Sequence, residues 1–173
     1  MTAKPVQFVL EELGAVADAQ PAAHPLRRTD RDNSQVYETG ESIDTGMSLT
    51  ERTRRLEAAN FVGAGTADRS ATYIGTKPNL DLESVVGVRI EGYSGYEGHV
   101  DPDGNDGVVF HGTDDSLVEQ IRSTLYDTLS YPDAGRTNVT FTHLSIDGTP
   151  AVTDLAEHYR YDLDIRFDGF ETL

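Results

Sequence analysis

The acidic, glycine-containing run Asp101-Pro102-Asp103-Gly104-Asn105-Asp106-Gly107 is the first stretch with the residue types for chemistry, as a cation site. An EF-hand loop needs glycine at its sixth position and glutamate at its twelfth. Counted from Asp101, those positions hold Asp106 and Gly112, so that pattern fails. The plain reading is an acidic surface loop, with a looser cation site as the alternative. The histidines His24, His99, His111, His143 and His158 show neither HxH nor HExxH spacing. A metal site would have to assemble from distant parts of the chain, and none is expected. No GxSxG string sets a serine on a nucleophile turn. Gly63-Ala64-Gly65-Thr66 is not followed by GK[ST], so it is not a phosphate loop. The chain has no cysteine, which removes disulfides, thiol chemistry and Cys-based zinc sites. No catalytic, cofactor-binding or metal-ligating residue is assigned, and the chain is expected not to be an enzyme.

What remains are residues suited to contact. Tyr93 and Tyr96 offer large area and a polar tip at low entropic cost, as do Tyr159 and Tyr161. Ordinary packing on a sheet is the competing account of all four. Arg52, Arg54 and Arg55 form a basic cluster in an acidic chain. They either pair with carboxylates of a neighbouring subunit or form a solvated face, since exposed ion pairs contribute little. Arg52, Arg54, Arg55, Tyr93, Tyr96 and His99 are the candidate subunit-interface residues.

The clearest element is His158 to Asp168, HYRYDLDIRFD. Tyr159, Tyr161, Leu163, Ile165 and Phe167 alternate with Arg160, Asp162, Asp164, Arg166 and Asp168. Side chains on a strand point alternately to opposite faces, so this pattern predicts a strand with one apolar and one charged face. Val85 to Ile90 alternates similarly, and Asn138 to Ile146 predicts a third strand followed by a turn at Asp147-Gly148. Between them, Leu117, Ile121, Leu125 and Leu129 recur every fourth residue, with Val118 and Tyr126 alongside. That stripe predicts a helix over 114–130, capped by Thr113 or Asp114 and stopped at Tyr131-Pro132. The helix should cover one face of the sheet, with Leu117, Ile121, Leu125, Leu129, Val139, Phe141, Leu163 and Ile165 in the core.

Ahead of this half, residues 8–19 read as a short helix weakened by Gly14. Residues 20–46 have little to bury and read as a loop, an arm or a weak strand around Val36 and Tyr37. Residues 48–59 are ambiguous between helix and edge strand. Gly92 to Gly107 reads as a long loop, and Val108 to His111 as an extended entry to the helix. The expected whole is one α+β domain, 1–173, with a mainly antiparallel sheet and one long amphipathic helix on one face. Its expected parts are an N-terminal helix (1–19), a loop-rich insertion or arm (20–84) and a sheet-helix core (85–173).

The chain has 30 acidic against 14 basic residues, a formal net charge of −16, and only Lys4 and Lys77 as lysines. That balance disfavours nucleic-acid binding, which needs clustered Lys and Arg. Abundant Asp and Glu with almost no Lys reads as adaptation to high salt, where the repulsion is screened. No segment approaches the roughly 18 consecutive apolar residues of a membrane span. Glu11 and Glu12 interrupt the N-terminal apolar stretch, so it does not read as a secretory signal. The expectation is a protein kept inside a cell or packed into a particle assembled there.

The helix LVEQIRSTLYDTLSYP, a strand, a turn and a last strand YRYDLDIRF together resemble the tail-terminator and neck proteins of long-tailed viruses. With the acidic composition, the resemblance points to a tailed virus of haloarchaea and covers about 85–173. It implies a non-catalytic virion protein, without cofactor, whose copies form a ring, typically a hexamer. Such a ring closes the tail tube and joins it to the head, touching adjacent neck and tail-tube proteins. Residues 1–79 look larger than that family's usual N-terminal part. An adjoining head-completion or stopper ring, and a cellular haloarchaeal α+β binding module, are therefore the alternatives.

Overall fold

In the computed structural model, residues 4–43, 49–74, 79–96, 107–127, 139–147, 152–155 and 158–172 are described. Their order is α1 (Lys4–Glu12), α2 (Gly14–Asp18), β1 (Leu26–Asp30), β2 (Gln35–Val36), α3 (Leu49–Ala58), β3 (Asn60–Ile74) and β4 (Asn79–Tyr93). A 3-10 turn (Ser94–Tyr96), α4 (Leu117–Tyr126), β5 (Val139–Asp147), β6 (Val152–Leu155) and β7 (His158–Thr172) complete it. The strands form one mixed sheet in the order β2-β1-β3-β4-β7-β5, with β6 also paired to β7. The β1–β3 pair is parallel and the other pairs are antiparallel. A parallel pair needs a crossover; here β2 and α3 occur within it.

The alternation read in His158 to Asp168 holds in space. Tyr161, Leu163, Ile165 and Phe167 are buried, and the strand runs on to Thr172. Register aligns Val62, Ile90 and Tyr161 across three strands, then Ala64, Val88 and Leu163. These side chains form the inner face, packed in one core cluster with Val6, Val9, Leu10, Leu13, Leu117, Ile121 and Leu125. Pairing of β7 with β5 is antiparallel, as expected of a last strand running back, although β6 lies between the two in sequence.

Several expectations need correction. The inner face is not covered by one long helix. α4 has ten residues and shares the face with α1 and α2. It starts at Leu117 because Ser116, not Thr113 or Asp114, is the N-cap, its Oγ accepting from the Glu119 N–H at 3.4 Å. Ser116-Leu117-Val118-Glu119 is the S-x-x-E string of a capping box. Tyr126, placed beside the apolar stripe, is 50% exposed, and its ring packs under the Arg122 guanidinium. Leu117, Ile121, Leu125, Val139, Leu163 and Ile165 are buried; Phe141 is partly so. Leu129, Asn138, Gly148 and the Tyr131-Pro132 stop lie outside the described residues.

The expected helix over 8–19 divides at Leu13 into α1 and α2. Arg28 explains part of this: its Nη1 donates to the Leu10 carbonyl at 2.7 Å, and a Cβ at Gly14 would lie 3.2 Å from that nitrogen. No N-terminal arm is formed by the described part of 20–84. It supplies β1, β2, α3, β3 and the start of β4, including strands in the middle of the sheet. The ambiguous stretch 48–59 resolves as helix α3 over 49–58. Gly92 and Tyr93, expected in a loop, still belong to β4.

Candidate functional site

The outer face of the sheet carries charge and glycine. Gly63, Arg89 and Asp162 align across β3, β4 and β7, as do Gly65, Gly87 and Asp164 on the next row. Above them lies a groove of about 690 Å³, lined also by the β1–β2 hairpin and by Arg55 and Leu56 of α3. That size falls within the usual range for small-ligand sites.

The hairpin is built to hold its loop still. Asp30 is fully buried and accepts hydrogen bonds from the Asp32 and Asn33 N–H groups at 3.0 and 3.1 Å and from Asn33 Nδ2 at 2.7 Å. Ser34 has φ of 52°, the left-handed conformation that closes the turn. Asp32 in turn accepts from Thr66 N at 2.9 Å and Thr66 Oγ1 at 2.7 Å, beside the irregularity in register between Thr66 and Asp68.

Between these anchors Arg31 lies across β3. A Cβ on Gly63 would come within 2.8 Å of Arg31 Cδ and of Thr29 Oγ1, and one on Gly65 within 3.1 Å of Arg31 Cβ. Glycine at both positions is what lets the arginine stem rest on the strand. Among the described residues, none hydrogen-bonds or ion-pairs with the Arg31 guanidinium. Its pKa lies below the ordinary arginine value, first because the groove walls remove part of its hydration and then because Arg89 is a like charge nearby; Asp162 and Glu91 act the other way. Arg89 and Arg160 share Asp162, through Nε–Oδ1 at 2.9 Å and Nε–Oδ2 at 2.8 Å respectively. Asp164 is exposed over Gly87. The groove lining sets Arg31, Arg55 and Arg89 among Asp30, Asp32, Glu91, Asp162 and Asp164, so it offers cationic donors and anionic acceptors side by side.

The predicted contact residues do not gather into one site. Arg55 lines the groove, while Arg54 is exposed on the same helix. Arg52 is in α3 and Tyr96 in the 3-10 turn, but their side chains lie outside the described set. Tyr93 is half-buried at the end of β4, tilted against His158 with ring centroids 6.1 Å apart. His99 and the acidic loop 101–106 lie outside the described residues. Tyr159 is packed between Phe110, stacked at 5.3 Å, and His111, edge-on at 5.0 Å. Ordinary packing therefore accounts for Tyr159 and for buried Tyr161.

Arg31, Asp32, Arg89, Asp162 and Asp164 were not singled out from the sequence as a site. The signal was partly present: the charged positions of His158 to Asp168 and the alternation of Gly87 and Arg89 with Val86, Val88 and Ile90 already set three of these residues, Arg89, Asp162 and Asp164, opposite the apolar positions of their strands. Among the described residues, no group of three or more His, Cys, Asp or Glu side chains is placed to hold a metal ion. No helix among them is long and apolar enough to cross a membrane. Compared with known proteins, the chain matches no family model and no curated protein.

Proposed function

We propose that the chain is a non-catalytic structural subunit of a virion, a tail terminator of a long-tailed virus with a halophilic host. Its copies close a ring on the end of the tail tube and join it to the neck. The observation that carries this reading is the outer edge of β5, unpaired among the described residues. That strand has nine residues, and its only strand partner among the described residues is β7. Such an edge is a template for pairing with another chain. The opposite end of the sheet is β2, two residues long, so the two ends are unlike. Unlike ends suit the heterologous contact that repeats around a cyclic ring. The net charge of −16 supports the halophilic setting.

The test is the mass of the protein in solution at molar KCl, with electron microscopy of purified particles. A ring of fixed stoichiometry, found at the neck, is the expected result; its position in the particle separates a terminator from a head-completion or stopper ring. A strict monomer absent from particles overturns the reading. That outcome favours the second reading, a cellular α+β binding module, which the groove on the outer face supports.

A further inference from the structure

Two carboxylates and a left-handed serine fix the loop that carries Arg31, an exposed residue whose stem rests on Gly63 and Gly65. Asp30 locks the loop internally, Asp32 ties it to Thr66, and Gly63 and Gly65 leave room for the Arg31 stem. Ordering an arginine side chain costs conformational entropy. Placing it beside Arg89 adds repulsion, since Arg89 and Arg160 already share Asp162. A surface ion pair explains neither cost, because no described residue pairs with the Arg31 guanidinium. An anion from outside the chain explains both, since guanidinium groups bind carboxylate and phosphate with matched, charge-assisted hydrogen bonds. Rigid support of a first contact residue by a second set of hydrogen bonds is also how binding sites are held in register.

The other end of the groove narrows the ligand. Gly87 is not packed over: a Cβ there would meet Ala67 Cβ and Asp164 Oδ1 only at 3.7 Å. An ionised carboxylate such as Asp164 accepts hydrogen bonds and does not donate, so it calls for hydroxyl or amine donors.

We propose that this groove is a binding site for a small organic anion, its carboxylate or phosphate held by Arg31 with Arg89 and Arg55 around it, and its hydroxyl or amine groups directed over Gly87 to Asp164. The site is independent of ring assembly, which is measured by mass, whereas this is measured by titration.

The experiment is calorimetric titration of the full chain in molar KCl. The probes are acetate and inorganic phosphate as bare head groups, and malate, glutamate and glucose 6-phosphate as anions that also carry donors. At least one of the last three binds with Kd at or below about 1 mM, and more tightly than its bare head group. Competition by acetate or by phosphate shows which head group Arg31 takes. Arg31→Gln weakens that binding by about tenfold or more, the loss of a charge-assisted contact. Gly87→Val fills the groove floor without removing a charge, and abolishes binding while melting stays within a few degrees of wild type. The proposal is overturned if none of the probes binds the wild type at 10-fold above about 1 mM, or if the bound probe binds both variants as it binds the wild type. Loss of binding in Gly87→Val, shown folded by its melt, counts in favour even where Arg31→Gln fails to fold.

Discussion

Asp32 and Thr66 are joined twice, the carboxylate accepting from the Thr66 N–H at 2.9 Å and from its Oγ1 at 2.7 Å. The contact pins the β1–β2 hairpin to β3 where the β3–β4 register is irregular. Asp32→Ala removes both bonds from a charged acceptor and is expected to cost about 1–2 kcal/mol, reduced by solvent exposure. Urea unfolding measures it. Thr66→Val should lose less, because the backbone N–H bond survives.

Glycines on the sheet separate sharply by what stands over them. A Cβ at Gly169 would lie 2.1 Å from the Thr140 carbonyl oxygen, a backbone atom with nowhere to go. Gly169→Ala is expected to cost about 3 kcal/mol by forcing β5 from β7. At Gly87 a Cβ would meet its nearest atoms at an ordinary contact distance of 3.7 Å, so Gly87→Ala should be neutral or stabilise by about 0.5 kcal/mol through reduced backbone freedom. Equal denaturation midpoints for the two variants would contradict the geometry.

Leu125 is fully buried in the helix-sheet core. Leu125→Asp places an unpaired charge among apolar side chains and should cost on the order of 4 kcal/mol. Loss of cooperative melting is the expected readout, and a variant that melts like the wild type would remove α4 from the core.

His24 is fully buried, with Nε2 3.3 Å from Asn60 Oδ1. Burial lowers its pKa below 6.5, and the Asn60 contact only partly opposes this. The unfolded chain therefore binds the proton more readily. Stability from the neutral imidazole is full above pH about 6.5 and is lost as pH falls through the folded pKa. His24→Gln should flatten this part of the pH dependence of unfolding between pH 8 and 5, relative to wild type.

Self-repulsion from a net charge of −16 should weaken as salt screens it. The melting temperature is expected to rise from dilute to molar KCl; a flat or falling trend would count against salt adaptation.

The C-terminal half was legible because its signals are periodic. Tyr161, Leu163, Ile165 and Phe167 alternate without a break, and Leu117, Ile121 and Leu125 repeat at helical spacing. β3 was hidden for a physical reason. Two of its outer positions are Gly63 and Gly65, which lower strand propensity, and they are glycine because Arg31 lies over them. The requirement comes from a residue over thirty positions away, so no local window contains it. The same applies to the groove: Arg31, Arg89 and Asp162 meet only through the parallel β1–β3 pairing, which follows from the crossover rather than from any motif. Helix α4 was misjudged at its start because Thr113 and Asp114 are also good caps, and Ser116 prevails with Glu119 at the third helical position.

The late place of β7 in the chain, beside β4 in the sheet, bears on the timing of folding. Asn79 pairs with Thr172 and Tyr93 with His158, so the widest ladder in the sheet closes between distant segments. Chains dominated by such non-local pairings fold slowly. Until β7 docks, β4 exposes Val86, Val88 and Ile90 beside an unpaired backbone edge, a species prone to pairing with other chains. Mutual repulsion between strongly acidic chains then acts as a kinetic safeguard during synthesis, and dilute salt, which leaves that repulsion unscreened, should slow aggregation during refolding even as it lowers the stability of the product.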